Sequence, residues 1–268
     1  MGKELRFGFG KNWSRFLNLL NENRIESAEK SLLKYLGIDS LKGMSFLDIG
    51  SGSGLFSLAA HRLGALVTSF DYDVDSVECT QILRKKYKGL DDWQVMKGSA
   101  LDKEFLNTLG KFDIVYSWGV LHHTGSMYEA FENVVPLVKE KGYLFLSIYN
   151  DQGAPSRRWK WIKEKYNKSN SFMRSLIIFL GFFRLRVLSS IKFLFTQGDL
   201  FKIQKEYAKT PRGMSSYHDL VDWIGGYPFE VAKPEEVFSF FKSRGFNLIK
   251  MKTCAGGLGC NEFVFVKE

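Results

Sequence analysis

The chain has 268 residues, 45% of them hydrophobic and 15% aromatic, enough to bury a full core in one elaborated domain or two small ones. Its three cysteines (Cys79, Cys254 and Cys260) are too few and too dispersed for a disulfide framework, and no Cys/His cluster has metal-ligand spacing, so the expectation is reduced thiols and no structural metal. The net charge of +9 is uneven: Pro155 to Lys209 holds thirteen Lys/Arg against three Asp/Glu, so one segment carries the whole basic excess.

The N-terminus "MGKELRFGFGKNW" lacks the apolar core of a signal peptide, and Arg6 stands where a myristoylation signal needs Ser or Thr. "NWSRFLNLL" and "SAEKSLLKYLG" have helical periodicity, so residues 1–43 read as a helical segment ahead of the sheet. Residues 44–150 then alternate strand and helix. The strands are Ser45–Ile49, Leu66–Asp71, Trp93–Lys97, Asp113–Ser117 and Tyr143–Tyr149, short and apolar as strands buried on both faces are. Helices fill the gaps at Gly54–Leu63, Asp75–Tyr87, Glu104–Leu109 and Met127–Val138. This alternation argues a parallel sheet with helices on both faces.

Residues 151–232 form a basic, apolar helical insert. Its longest apolar run, Leu176–Phe183, stops at Arg184, well short of the roughly 18 residues that cross a bilayer, and the expected location is cytoplasmic. Residues 233–268 resume the sheet, with a helix at Pro234–Arg244 and a strand at Phe246–Thr253. "AGGLG" is too short for a crossover helix, so the last strand, Asn261–Lys267, runs antiparallel to the one before it. The expected fold is α/β and Rossmann-like: seven strands, six parallel and the last antiparallel.

The stretch "FLDIGSGSGLFSLAAHRLGA" is a buried strand, a glycine turn and a helix. The dinucleotide fingerprint fails, because the third glycine falls at Leu55 or Ser57 from either start, and no Gly-Lys-Ser/Thr follows for a Walker A loop. What remains is Asp48-x-Gly50-x-Gly52-x-Gly54, a turn that lets the backbone approach a ligand, preceded by an acid suited to a positive charge. Asp71 closes the second strand, where an acid suits a ribose diol, and Tyr72 beside it suits stacking on a base; Asp71 and Asp73 also suit capping of the next helix.

These residues resemble motif I of class I S-adenosylmethionine-dependent methyltransferases. "SFDYD" resembles their acidic second-strand end, "FDIVYSWGVLHHT" their fourth-strand motif, and the terminal antiparallel hairpin is also theirs. The resemblance covers about Met44 to Asn150 and returns for Pro234 to Lys267. It implies S-adenosyl-L-methionine as the cofactor, with Asp48, Gly50, Ser51, Gly52 and Gly54 around its methionine part. It further implies Asp71 on the ribose, Tyr72 on the adenine, Ser99 and Ala100 where relatives place an acid, and Trp118 and Gly119 along the transfer path.

Histidines that follow the fourth strand stand at the carboxyl edge, where ligands bind, so His123 and then His122 are candidate bases, a structural role being the alternative. "RGMSSYHDLVDWIGGYPFEVA" adds His218 as a catalytic candidate, with Tyr217 and Asp222 as acceptor contacts; Asn261 opens the last strand and is a further contact. The insert has three readings: a cap over the acceptor, a membrane-surface element through 155–209, or an RNA contact, which its Leu/Ile/Phe density disfavours. It is similar in place to the insert of the ubiquinone-biosynthesis O-methyltransferases, which implies a small-molecule or lipid-linked acceptor, a quinone-precursor phenol or a surface-glycan sugar. The alternatives are an RNA-modifying methyltransferase and a non-catalytic cofactor-binding module docking to membrane or protein.

Overall fold

A computed structural model describes residues 5–17, 20–87, 92–183 and 216–268. In chain order these give α1 (Gly10–Leu17), α2 (Glu22–Leu36), β1 (Ser45–Ile49), α3 (Leu55–Arg62), β2 (Leu66–Asp71), α4 (Val74–Lys86) and β3 (Trp93–Lys97). Next come α5 (Lys103–Leu109), β4 (Phe112–Trp118), a 3₁₀ turn (Leu121–His123), α6 (Met127–Val134) and β5 (Val138–Tyr149). The insert supplies α7 (Ala154–Lys168), α8 (Ser171–Phe182) and α9 (Ser216–Gly225), and α10 (Pro234–Lys242), β6 (Phe246–Lys252) and β7 (Cys260–Lys267) finish the chain.

One seven-stranded sheet has the order β3-β2-β1-β4-β5-β7-β6. β7 is antiparallel to both β5 and β6, and the remaining pairs are parallel, as the short "AGGLG" turn requires. Alternate residues of the central strands β1, β4, β5 and β7 enter opposite cores. Leu47, Ile49 and Phe265 pack with Phe131 and Phe241 from α6 and α10. Phe46, Tyr116 and Val264 pack with Ile25, Leu32 and Leu58 from α2 and α3. Burial on both faces is why these strands read as continuous apolar runs. A third cluster joins Trp159 and Tyr166 of α7 to Leu220 and Ile224 of α9.

Several boundaries move. β5 starts at Val138 rather than Tyr143, with a shift in pairing between Phe112↔Val138 and Ile114↔Tyr143 where Lys141 adopts φ 59°. α6 ends at Val134 and tightens into a 3₁₀ turn over Val135–Leu137, because Pro136 has no amide hydrogen to continue an α-helix. Thr253 lies just beyond β6.

Candidate active site

β1 leads to β2 on one side and lies beside β4 on the other, so the loops leaving β1 and β4 diverge and open a crevice at the carboxyl edge. A cavity of about 710 Å³ occupies it. The glycine turn forms one wall. Gly50 (φ 80°) and Gly52 (φ 55°) hold left-handed backbone, and neither has room for a side chain. A Cβ on Gly50 would lie 2.4 Å from Val120, and one on Gly52 would lie 3.0 Å from the Trp13 indole. The amides of Gly50 and Ser51 donate to the Phe70 carbonyl at 2.8 and 3.1 Å, which ties the turn to β2.

Ser51 and Gly54 shape the turn from behind. The Ser51 hydroxyl pairs with Thr80 Oγ1 at 2.9 Å, and Gly54 (φ 78°) packs on Thr80 as it opens α3. Asp48 is also set back. It is 2% exposed, accepts a 2.5 Å hydrogen bond from Ser57 Oγ, and borders a smaller cavity of about 70 Å³ shared with Trp13 and Trp118. Burial raises its pKa to about 7. A carboxyl raised above its unfolded value stabilises the fold below about pH 4 and loses that contribution as the pH rises toward 7. Asp48→Asn is therefore expected to stabilise the ligand-free protein by roughly 2–4 kcal/mol near pH 8, with the gain vanishing near pH 4. Thermal melts at the two pH values check this; equal melts near pH 8 would refute it.

Asp71 and Asp73 both line the cavity, and they differ in what their carboxylates hold. Asp73 caps α4, accepting from the Asp75 amide at 3.0 Å. Asp71 lines the cavity, its Oδ2 accepting from the Gly52 amide at 3.0 Å and its Oδ1 from the Asp73 amide at 2.9 Å. Burial raises its pKa to about 6. Tyr72, Ser99, Ala100, Trp118 and Gly119 all line the same cavity. The Ser99 hydroxyl accepts from the Leu101 amide at 3.1 Å, and a Cβ on Gly119 would meet nothing within 4 Å, so that position faces open space.

The roof comes from a segment that periodicity does not reveal. Residues 6–9 and Trp13 cross the cavity from the N-terminal side. The Arg6 guanidinium lies 4.4 Å above the Tyr72 ring and donates to the carbonyls of His123 and Thr124 at 3.0 and 3.1 Å. The Phe7 amide donates to the Tyr227 carbonyl, and the Gly10 amide to Asp73 Oδ2. The available signal was the Phe-Gly alternation of "RFGFG". Gly10 presses on the α4 backbone, where a Cβ would lie 2.5 Å from the Ser76 nitrogen.

The opposite wall is aromatic: Phe9, His123, Tyr149 and Trp223, with Leu220 and Leu258. His123 Nδ1 lies 2.6 Å from the Pro228 carbonyl, which can only accept, so Nδ1 carries the hydrogen and Nε2 presents its lone pair. Burial holds the imidazolium pKa down at about 3, with Lys163 and Arg6 adding positive charge nearby. Lys163 is itself fully buried, donates to the Trp223 carbonyl, and lies 4.3 and 4.7 Å from the rings of Trp223 and Phe229.

Two expected site residues are elsewhere. His122 is fully buried off the cavity, its ring 4.0 Å from Tyr149 and its Nδ1 accepting from the Tyr149 amide at 3.3 Å, so it braces β5. Asn261 is also buried, bonded to Asn150 Oδ1 at 3.0 Å and to the Cys254 amide at 3.1 Å, and fixes the β6–β7 turn. The side chains of Tyr217, His218 and Asp222 lie outside the described residues, although α9 carries them and sends Leu220 and Trp223 to the cavity. Among the described residues no group of three or more His, Cys, Asp or Glu is placed to hold a metal ion.

Comparison with known proteins agrees with this geometry. A family model described as a methyltransferase domain matches residues 20–177. The chain is similar to a ubiquinone biosynthesis O-methyltransferase of Pelagibacter ubique, 29% identical over 138 residues that cover 50% of this chain and 55% of that protein. It is also similar to a ribosomal protein L11 methyltransferase of Macrococcus caseolyticus, 30% identical over 129 residues covering 42% of each. The chain thus spans about half the length of these curated relatives. Among solved structures, a magnesium protoporphyrin IX methyltransferase from Synechocystis with bound SAH shares the fold. Its TM-score is 0.52 at 17% identity, over 91% of this chain and 81% of that one.

Proposed function

The chain belongs to the methyltransferase domain family, whose methyl donor is S-adenosylmethionine, and on that premise we propose that it methylates an oxygen of a small, flat acceptor such as a phenol. The observation that carries this reading is His123, with an unprotonated Nε2 set in an aromatic wall of the same cavity that the glycine turn bounds.

The residues present fit the donor. Gly50 and Gly52 line the cavity where Val120 and Trp13 leave no room for a side chain, Asp71 offers a carboxylate for a diol, and Tyr72 offers a ring beside it. A cavity near 700 Å³ lies within the range of small-molecule sites, about 300–1,000 Å³. Bound there, S-adenosylmethionine supplies an already activated methyl group on a sulfonium. The protein's task is then to align the acceptor and exclude water, an effect worth about 7–11 kcal/mol when complete. On this reading the rings of Phe9, Tyr149 and Trp223, which line the cavity, pack on a planar acceptor, and residues 6–9 cover it. His123 Nε2, on this reading, accepts the acceptor's hydroxyl hydrogen.

The direct test is calorimetric titration with S-adenosylhomocysteine, with NAD as control. It is followed by methyl-transfer assays on paired phenols, anilines and sugars, with and without lipid tails. Binding of the first ligand alone and transfer to phenols support the reading. No binding to ligand-free folded protein overturns the donor, and transfer to the aniline but not its phenol overturns the oxygen.

A further inference from the structure

α8 has the sequence SFMRSLIIFLGF, and none of its residues is buried. Phe172 is 77% exposed, Phe179 63% and Leu180 56%, and Met173, Phe182 and the adjoining Phe183 are also exposed. Soluble proteins rarely leave so many large apolar side chains together in water, and such a patch marks a contact surface. A two-residue turn joins it to α7, whose exposed Arg157, Arg158, Lys160, Lys165 and Lys168, with Arg174 of α8, give the pair an excess of positive charge. Trp161 is exposed among these cations.

We propose that α8 docks the protein on an anionic lipid surface, with the cations of α7 and Arg174 meeting the headgroups and the phenylalanines entering the acyl boundary. An apolar helix beside Lys/Arg and Trp has the composition of an interfacial element. Twelve residues make a helix of about 18 Å, too short for a hydrocarbon core of about 30 Å. No described helix is long and apolar enough to cross a membrane, so α8 lies on the surface. Charge selects the partner: a second copy seated on this face would bring two sets of cations together, whereas acidic headgroups neutralise them.

The docked face also backs onto the cavity. Gly181 of α8 packs on Ile224 of α9 so closely that a Cβ there would lie 2.4 Å from Ile224 Cδ1. Leu220 and Trp223 of the same helix α9 line the aromatic wall. Docking therefore brings the acceptor side next to the bilayer, which suits an acceptor with a lipid tail. The surface itself does not rest on the acceptor assignment, because its test needs neither donor nor acceptor.

The full chain is sedimented with phosphatidylcholine vesicles and with vesicles of equal phosphatidylcholine and phosphatidylglycerol, beside light scattering of the free protein. The expected result is binding at least about ten-fold stronger to the anionic vesicles and weakened by salt. Phe172→Ser/Phe179→Ser and, separately, Arg157→Glu/Arg158→Glu are expected to abolish it while keeping the wild-type circular dichroism. Wild-type protein that stays in the supernatant with both vesicles overturns the proposal. So does a dimer in solution that the phenylalanine variant dissolves, which would assign the face to a second copy.

Discussion

Replacing Asp71 by alanine is expected to weaken S-adenosylhomocysteine binding by about 10²–10⁴-fold in a protein that still folds by circular dichroism. Two effects combine. On the proposed reading the carboxylate, which lines the cavity, receives a ribose diol, and hydrogen bonds to a charged group are worth about 1.5–3 kcal/mol each. It also holds the glycine turn, since Oδ2 accepts the Gly52 amide while Oδ1 accepts the Asp73 amide. Asparagine cannot stand in, because its NH₂ would face one of those two N–H donors. Asp71→Asn should therefore lose most of the affinity as well. The raised pKa of about 6 adds a signature. A ligand that needs the carboxylate competes with a proton, so wild-type affinity should rise as the pH rises through about 6 and then level off. Calorimetry across that range measures both effects; an alanine variant that binds within roughly three-fold of wild type would remove Asp71 from the cofactor site.

The centre of the sheet was readable because its strands are buried on both faces. "SFLDI" and "LVTSFD" have no polar alternation to blur them, and glycine turns bound them, so β1 and β2 lie where the residues predict. The edges were less legible. The early start of β5 depends on the pairing of Val138 with Phe112, a contact between distant parts of the chain that local pattern does not carry. Gly50, Gly52, Asp71 and Tyr72, read from the strand and turn pattern, and Ser99 and Trp118, implied by the family resemblance, all line the cavity. The roof followed from neither. Arg6 and Phe9 belong to a stretch without helical or strand period, and tertiary contacts, among them those to Tyr227, Asp73 and the His123 carbonyl, hold it in place. The two adjacent histidines mark the same limit. Composition makes them equal, and only the 3₁₀ turn decides that one ring meets the cavity and the other meets Tyr149.

That distinction sets the second large effect: His123→Ala is expected to lower kcat about 10²-fold or more and leave S-adenosylhomocysteine affinity within a few-fold of wild type. A weak base suffices for this chemistry. With an imidazolium pKa of about 3, His123 does not ionise a phenol in the resting complex. On the proposed reading, as the new O–CH₃ bond forms the hydroxyl hydrogen becomes far more acidic than an imidazolium, and Nε2 takes it at that stage. The depressed pKa keeps the imidazole neutral and ready throughout the physiological range, so His123 should contribute no acid limb to kcat between about pH 5 and 8. His123→Asn separates chemistry from structure, because its amide can still donate to the Pro228 carbonyl in place of Nδ1 but offers nothing at Nε2. If Asn folds as wild type does and still turns over at the wild-type rate, His123 is a wall residue and the base lies elsewhere. Stability supplies an independent check with a definite sign. A histidine whose folded pKa is depressed favours the fold above about pH 6.5 and loses that contribution as the pH falls toward 3, by up to about 1.4 kcal/mol per pH unit. The wild type should therefore destabilise more steeply than His123→Asn over that interval in denaturant titrations. Equal slopes would mean that the ring takes up its proton in the folded state, and the neutral base assigned to this wall would be lost with it.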